Sequence, residues 1–292
     1  MIRKAVIPAA GFGTRFLPAA KAQPKEMLPI VDTPTIQFVV EEAVAAGITD
    51  ILIIIGKGKR AIEEHFDRNL DLEHELQARG KSVELAAVRR ISDMADVHFV
   101  WQKELRGLGD AVRCARHHVN GEPFLLLLGD TLIQNSTSVA RRLMELYDHY
   151  NEPVVALERV APEKVERYGV VAATPVTESL YLVQALVEKP TRAEAPSNLA
   201  IASRYAFNPQ IFEYIDRTKP GKDQEIQLTD AMQLMLRDAA MYGYVIDGRR
   251  HDIGNKLDFL KTNVLYGLDH PEVGPEFREF IIETAATLEK KV

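Results

Sequence analysis

A single cysteine, Cys114, in 292 residues excludes an intramolecular disulfide framework and any zinc site built on cysteines. It fits a reducing compartment. Tryptophan also occurs only once, and aromatic residues make up 7% of the chain. No apolar run approaches the roughly 20 residues needed to cross a bilayer. The longest, residues 51–55 and 124–128, read as buried strands. The opening Met-Ile-Arg-Lys-Ala-Val-Ile-Pro runs into Gly11, Gly13 and Arg15, so no signal-peptide core follows. A soluble, cytoplasmic protein without a membrane partner is expected. Positive charge is in deficit, with 36 basic against 42 acidic residues and a net charge of −6. Such a chain lacks the broad basic field of a non-specific nucleic-acid binder. Hydrolase signatures are missing too: there is no Gly-x-Ser-x-Gly elbow, and His74-Glu75 is followed by Ala78 rather than a second histidine. A P-loop fails because Gly80-Lys81-Ser82 has Glu75 where the upstream glycine belongs.

What is present is ordinary globular composition, 46% hydrophobic and 27% charged. The first half alternates strand-like and helix-like segments. Strands are expected at Lys4–Ala9, Asp50–Ile55, 97–101 and 124–128, and helices at 35–46, 59–70, 110–118 and 138–150. Nearly continuous apolar strands alternating with helices predict a parallel sheet covered on both faces. Ligands on such sheets bind at the carboxyl ends of the strands, which directs attention to the turns after Ala9, Trp101 and Leu128. The second half reads differently. Strand-like segments at 153–160, 168–173, Leu180–Glu188 and 200–207 have no long helices between them. Helices follow at 209–217 and 227–240, then a strand at 242–247 and helices at 255–268 and 277–291. Without a Gly/Ser linker, one mixed α/β domain is expected over 1–292: a first half (1–150), a second half (151–268) and a C-terminal helical extension (269–292).

The turn after the first strand carries Ala9-Ala10-Gly11-Phe12-Gly13-Thr14-Arg15. Glycines let backbone N–H groups approach phosphate oxygens, and Arg15 adds a bidentate donor. Phe16 occupies the position where a dinucleotide fingerprint needs a third glycine. Lys21 and Lys25 follow within a proline-rich stretch that restricts the backbone. Residues 1–30 hold five cations and one anion, Glu26, so a local positive cluster sits inside a negative chain.

Ala-Ala-Gly-Phe-Gly-Thr-Arg-Phe-Leu-Pro followed by Pro-Lys-Glu-Met-Leu-Pro-Ile-Val-Asp resembles the signature of bacterial UTP–glucose-1-phosphate uridylyltransferases, which are sugar-nucleotide pyrophosphorylases. Later segments agree in order: Gln102 with Gly107-Leu-Gly109, Gly129-Asp130, Tyr168-Gly169-Val170, Val187-Glu188-Lys189-Pro190, Glu225-Ile-Gln-Leu-Thr-Asp230 and Asp252-Ile-Gly254. The resemblance runs from about Ile2 to Leu268, and it implies that 1–150 is mainly the nucleotide-binding half and 151–268 mainly the sugar-phosphate-binding half. It implies a Rossmann-like, mainly parallel central sheet flanked by helices, as in nucleotidyltransferases and glycosyltransferase-A-like folds, with a smaller β-rich sugar-binding part and C-terminal helices. It implies Mg²⁺-dependent attack of α-D-glucose 1-phosphate on the α-phosphorus of UTP, giving UDP-glucose and pyrophosphate. A homo-oligomer, tetramer or dimer, is implied as well.

The resemblance assigns Arg15, Lys25 and Lys189 to catalysis. It assigns Ala9, Ala10, Gly11, Gly13, Thr14, Glu26, Gln102 and Gly107 to the nucleotide. Gly169, Glu188 and Lys189 fall to glucose 1-phosphate, and Asp130 and Asp252 to the metal. The residue types suit the chemistry: a sugar phosphate is already a nucleophile, so cations and a hard metal ion are needed rather than a general base. Gln102 can both donate to and accept from a pyrimidine edge. Singly, each has a plainer reading, Asp130 as a capping aspartate, Glu188-Lys189 as an exposed ion pair, Gln102 as a strand end and Asp252 as part of a turn. Two departures stand out: Ala20 before Lys21 where the family has threonine, and Asp110 after Gly-Leu-Gly where it often has histidine. The competing readings are a glucose-1-phosphate thymidylyltransferase and a non-catalytic regulatory paralogue that binds nucleotide-sugar.

Among the remaining features, Cys114 is expected in the core and Trp101 packed on the sheet. The stretch 67–75 is expected as a solvated helix surface. Asn135-Ser-Thr137 matches a glycosylation sequon without meaning in a cytosolic chain. Phe280, Ile281, Ala285 and Leu288 lie near helical spacing, to pack on the domain or on another subunit.

Overall fold

The computed structural model describes residues 1–134 and 137–289, and it places the sequon's Asn135 and Ser136, like Lys291, outside what is described. One nine-stranded sheet runs through the protein: β1 (Lys4–Ala9), β2 (Asp50–Ile55), β3 (Asp96–Trp101), β4 (Phe124–Leu127), β5 (Val154–Arg159), β6 (Gly169–Pro175), β7 (Leu180–Glu188), β8 (Leu199–Phe207) and β9 (Tyr242–Val245). Their spatial order is β3-β2-β1-β4-β8-β5-β9-β7-β6. The first four are parallel, as expected from the strand–helix alternation. β8 enters antiparallel to both β4 and β5, and β9 is parallel to β5 but antiparallel to β7. The second half therefore adds a mixed sheet edge-on to the first, and both halves share one hydrogen-bonded layer.

The strands are built for burial on two faces. Every side chain from Ile51 to Ile55 is at most 3% exposed. Alternate residues of β1 feed different cores: Ala5 and Ile7 one, Val6 the other. The apolar stripe of helix Thr35–Ala45 packs into the first core through Ile36, Val39, Val40 and Ala43.

Several boundaries move. The helix expected over 59–70 spans Arg60–Phe66, because Asp67 turns extended and Asn69 caps a new helix, Leu70–Ala78, by accepting from the Leu72 N–H. That over 110–118 begins at Leu108 and divides into Leu108–Arg113 and Arg116–Val119. That over 227–240 ends at Met235. A further helix, Ser82–Asp93, escaped the sequence reading because none of its residues is fully buried.

Trp101 is 50% exposed, since β3 is an edge strand with no neighbour beyond it. Cys114 is only half-buried and donates to the Asp110 carbonyl at 3.4 Å. Within 67–75, Glu73 departs from the solvated pattern: it is buried between Arg68 and Arg89. Helix Gly274–Glu289 lays Phe277 against Gly267 of helix Lys256–Asp269, while Phe280 and Leu288 stay exposed. Among the described residues no helix is long and apolar enough to cross a membrane.

Candidate active site

The carboxyl ends of β1, β3 and β4 open onto a cavity of about 510 Å³. Its floor is the first glycine turn, Ala9, Ala10 and Gly11, joined by Lys25 and Glu26 from the proline-rich stretch. Gln102 and Gly107 line one side, and Asp130 stands at the end of β4. Gly13 and Thr14 are outside this lining. Gly13 has φ 66°, a left-handed conformation that favours glycine. A Cβ there would come 3.1 Å from the Lys25 Cβ, so its missing side chain lets the lysine segment lie against the turn.

A second cavity, of about 400 Å³, is lined by Arg15, Lys189 and Asp252 together with Arg167, Glu166, Asp223 and Asn255. Lys189 follows β7 with φ 43° and donates its backbone N–H to the Tyr168 carbonyl at 3.0 Å. Its ammonium lies 3.4 Å from Glu188 Oε1. Glu188 itself accepts from the Thr229 hydroxyl at 2.6 Å. Gly169 begins β6 against Ile201 and Thr229, where a Cβ would fall 2.8 and 2.9 Å from their side chains. Neither Gly169 nor Glu188 lines either cavity, although Glu188 adjoins Lys189, which does.

Between the cavities stand the two aspartates. A short antiparallel ribbon pairs Thr131–Gln134 with Arg249–Asp252, and the Ile253 N–H donates to the Asp130 carbonyl at 3.0 Å. This pairing brings residues over 120 positions apart onto one spot. A Cβ at Gly254 would lie 3.1 Å from Asp252 Oδ1 and 3.3 Å from Asp130 Oδ2, so both oxygens face the space that glycine leaves. Lys25 pairs directly with Asp130. Burial would lower the Lys25 pKa, but Asp130 and Glu26 outweigh it and hold the ammonium above its ordinary value. Burial likewise pushes the Asp130 carboxyl up, yet the charge and hydrogen bond of Lys25 bring it below the usual range. Asp252 goes the other way, raised by burial and by the neighbouring Asp130 charge.

The residue family model described as nucleotidyl transferase matches residues 4–267. Over 280 residues the chain is 46% identical to the UTP–glucose-1-phosphate uridylyltransferase of Bacillus subtilis (strain 168), covering 96% of each protein. Over 282 residues it is 47% identical to that of Staphylococcus haemolyticus, covering 97% of this chain and 98% of the relative. Among solved structures, a UTP-bound UGPase from Acinetobacter baumannii superposes with a TM-score of 0.90 at 38% identity, over 97% of this chain and 99% of the other. This chain belongs to the nucleotidyl transferase family, among its UTP–glucose-1-phosphate uridylyltransferases.

Nucleotidyl transferases typically use a divalent metal, and the donors here fit one. Two hard carboxylate oxygens, from Asp130 and Asp252, converge on one space, which suits a hard divalent cation.

Beside the site stand further residues, of which Lys59 and Arg250 were not foreseen. Lys59, just after β2, is buried and donates to Glu26 at 2.6 Å, and Glu26 is itself 1% exposed. Burial raises the Glu26 pKa, and Lys59 and Lys25 offset this only in part. Tyr168 places its hydroxyl 3.4 Å from Asp252, under the Arg250 guanidinium 3.9 Å from its ring centre. Arg250 is anchored by Glu158 at 2.8 Å. Lys59 carried no signal beyond lying between a strand and a helix. Asp110 was visible only as a departure; it accepts from Gln102 Nε2 at 2.9 Å.

Proposed function

We propose that the protein joins α-D-glucose 1-phosphate to UTP, releasing pyrophosphate and forming UDP-glucose, reversibly and in the cytoplasm. The observation that carries this reading is the Lys25–Asp130–Asp252 group where a glycine-lined cavity meets a second one that holds Arg15, Arg167 and Lys189. The nucleotide occupies the first cavity, its phosphates against the backbone of Ala10 and Gly11 and its base toward Gln102 and Gly107. Glu26, neutralised by Lys59, lies along the same wall. Lys25 holds the α-phosphate. Arg15 holds the phosphates that depart, and Gly13 and Thr14 shape the turn that carries it. Lys189 holds the sugar phosphate, with Glu188 and the Gly169 backbone facing glucose hydroxyls.

Asp130 and Asp252 would hold Mg²⁺, which when bound offsets negative charge on phosphate oxygens. Because the sugar phosphate is already an anion, no side chain need remove a proton from it. The protein's own contribution is to bring two strongly charged reactants together and to stabilise charge on the oxygens at phosphorus. The exposed Phe280, Ile282 and Leu288 of the last helix support a homo-oligomer, dimer or tetramer.

A pyrophosphate-release assay over UTP and dTTP, with glucose 1-phosphate and with and without Mg²⁺, tests the reading. UTP should give the higher kcat/KM, and turnover should need the metal. A strong preference for dTTP would move the protein to the thymidylyltransferases, and no release from any pair would make it a non-catalytic binder.

A further inference from the structure

Gln102 immediately follows β3 and is only 5% exposed, yet it lines the nucleotide cavity. Its side-chain nitrogen has two hydrogens and two partners: Asp110 Oδ2 at 2.9 Å and the Gly107 carbonyl at 3.2 Å. Both partners are oxygens. A carboxylate accepts and does not donate, and neither does a carbonyl. The orientation of the amide is therefore dictated by chemistry, because turning it over would set its carbonyl oxygen against two other acceptors. Asp110 is itself held. It is 5% exposed, and its second oxygen is paired with Arg113. The loop that supplies Gly107 is fixed as well: the Gly109 N–H donates to the Ile226 carbonyl at 2.8 Å, and the Ile226 N–H to the Arg106 carbonyl at 2.7 Å.

With both hydrogens engaged, Gln102 keeps only its carbonyl oxygen for a ligand. The expectation that it both donates to and accepts from the base is thus narrowed to acceptance alone. We propose that Asp110 is a positioning residue that turns Gln102 into a one-way acceptor, so that the cavity selects pyrimidines presenting an imide N–H. This rests on the reading that a nucleotide base lies beside Gln102. Uracil and thymine carry a hydrogen on N3, which meets the carbonyl oxygen. Cytosine has a lone pair at N3, which opposes it. The device separates UTP from CTP and leaves UTP and dTTP alike, so any choice between those two is made elsewhere.

Equilibrium binding of UTP and CTP, followed by calorimetry, tests this without depending on turnover. The unmodified protein should bind UTP at least about a hundredfold more tightly than CTP, as expected when a buried acceptor is left opposed. In Asp110→Asn the new amide can turn either end toward Gln102, so the preference should shrink by about tenfold, mainly through weaker UTP binding. A merely structural role would weaken both nucleotides alike and leave their ratio unchanged; that result overturns the proposal. A third ligand keeps the test independent of the variant's folding. UTP methylated at N3 should bind the unmodified protein as poorly as CTP does. Binding like that of UTP would equally overturn the assignment. Absence of pyrophosphate release beside intact base discrimination would sink the catalytic reading alone.

Discussion

At the scale of single residues, the site is organised by charges that constrain one another. Lys25 is held cationic by Asp130 and Glu26, and Lys59 keeps Glu26 from standing as an unpaired charge against a triphosphate. Removing one partner of a buried pair costs far more than removing both. Lys59→Met should therefore destabilise the fold by about 3–5 kcal/mol in urea unfolding, and adding Glu26→Gln should recover most of the loss. A single-variant loss below the noise of the measurement would show that Glu26 needs no partner. For the reaction, Lys189→Ala and Asp130→Asn should each slow turnover by about 10²-fold or more, by analogy with deleting one transition-state stabiliser. Turnover like that of the unmodified protein in either case would remove the role assigned to that residue.

At the scale of elements, the loop after β3 depends on glycine. Gly107 has φ 99°, and a Cβ there would fall 2.6 Å from the Glu225 Cβ and 2.9 Å from the Ile226 carbonyl oxygen. Gly107→Ala should thus cost about 1–3 kcal/mol through strain, and it should raise the KM for UTP more than it lowers kcat. Unaltered UTP affinity would detach this loop from the base. The paired helices Leu70–Ala78 and Ser82–Asp93 carry a different test. Hydrogen bonds from Arg68 and Arg89 push the Glu73 carboxyl down to about 2, well under its ordinary 4.5. A carboxylate lowered on folding stabilises the fold fully above its unfolded pKa, and this is lost as pH falls from about 4.5 toward 2. Glu73→Gln should flatten that part of the acid-unfolding curve, which thermal melts between pH 5 and 2.5 would resolve.

These same elements mark what sequence periodicity can carry. The parallel strands were legible because burial on both faces leaves continuous apolar runs such as 51–55. Helix Ser82–Asp93 was not, because it packs on helices Arg60–Phe66 and Leu70–Ala78 and touches the core only through partly buried residues such as Ile91. Motif resemblance pointed to Lys25, Asp130 and Lys189. It could not find Lys59, whose role arises from a contact with a residue 33 positions away. Nor could it tell that Asp110 occupies the Gln102 amide, since that depends on the turn between them.

At the scale of the whole molecule, one buried arginine joins the two halves beneath the site. Arg204 of β8 is 1% exposed and pairs with Glu42 of helix Thr35–Ala45 at 2.8 Å. It also donates to the carbonyls of Ser203 and Thr131 at 3.1 and 2.7 Å, which fastens the turn bearing Asp130 to the sheet. The single continuous sheet and this clamp explain why residues from 9 to 252 meet at one point. A second global consequence concerns charge: the net −6 describes the surface as a whole, whereas the cations that matter are gathered at the strand ends. Such an arrangement supports one direct displacement, with no protein nucleophile between UTP and the sugar phosphate. The most direct measurement is the stereochemistry at the α-phosphorus, read with UTP made chiral there by sulfur substitution. A single in-line displacement predicts inversion of configuration in the UDP-glucose formed; retention would mean two displacements through a covalent intermediate and would contradict the account.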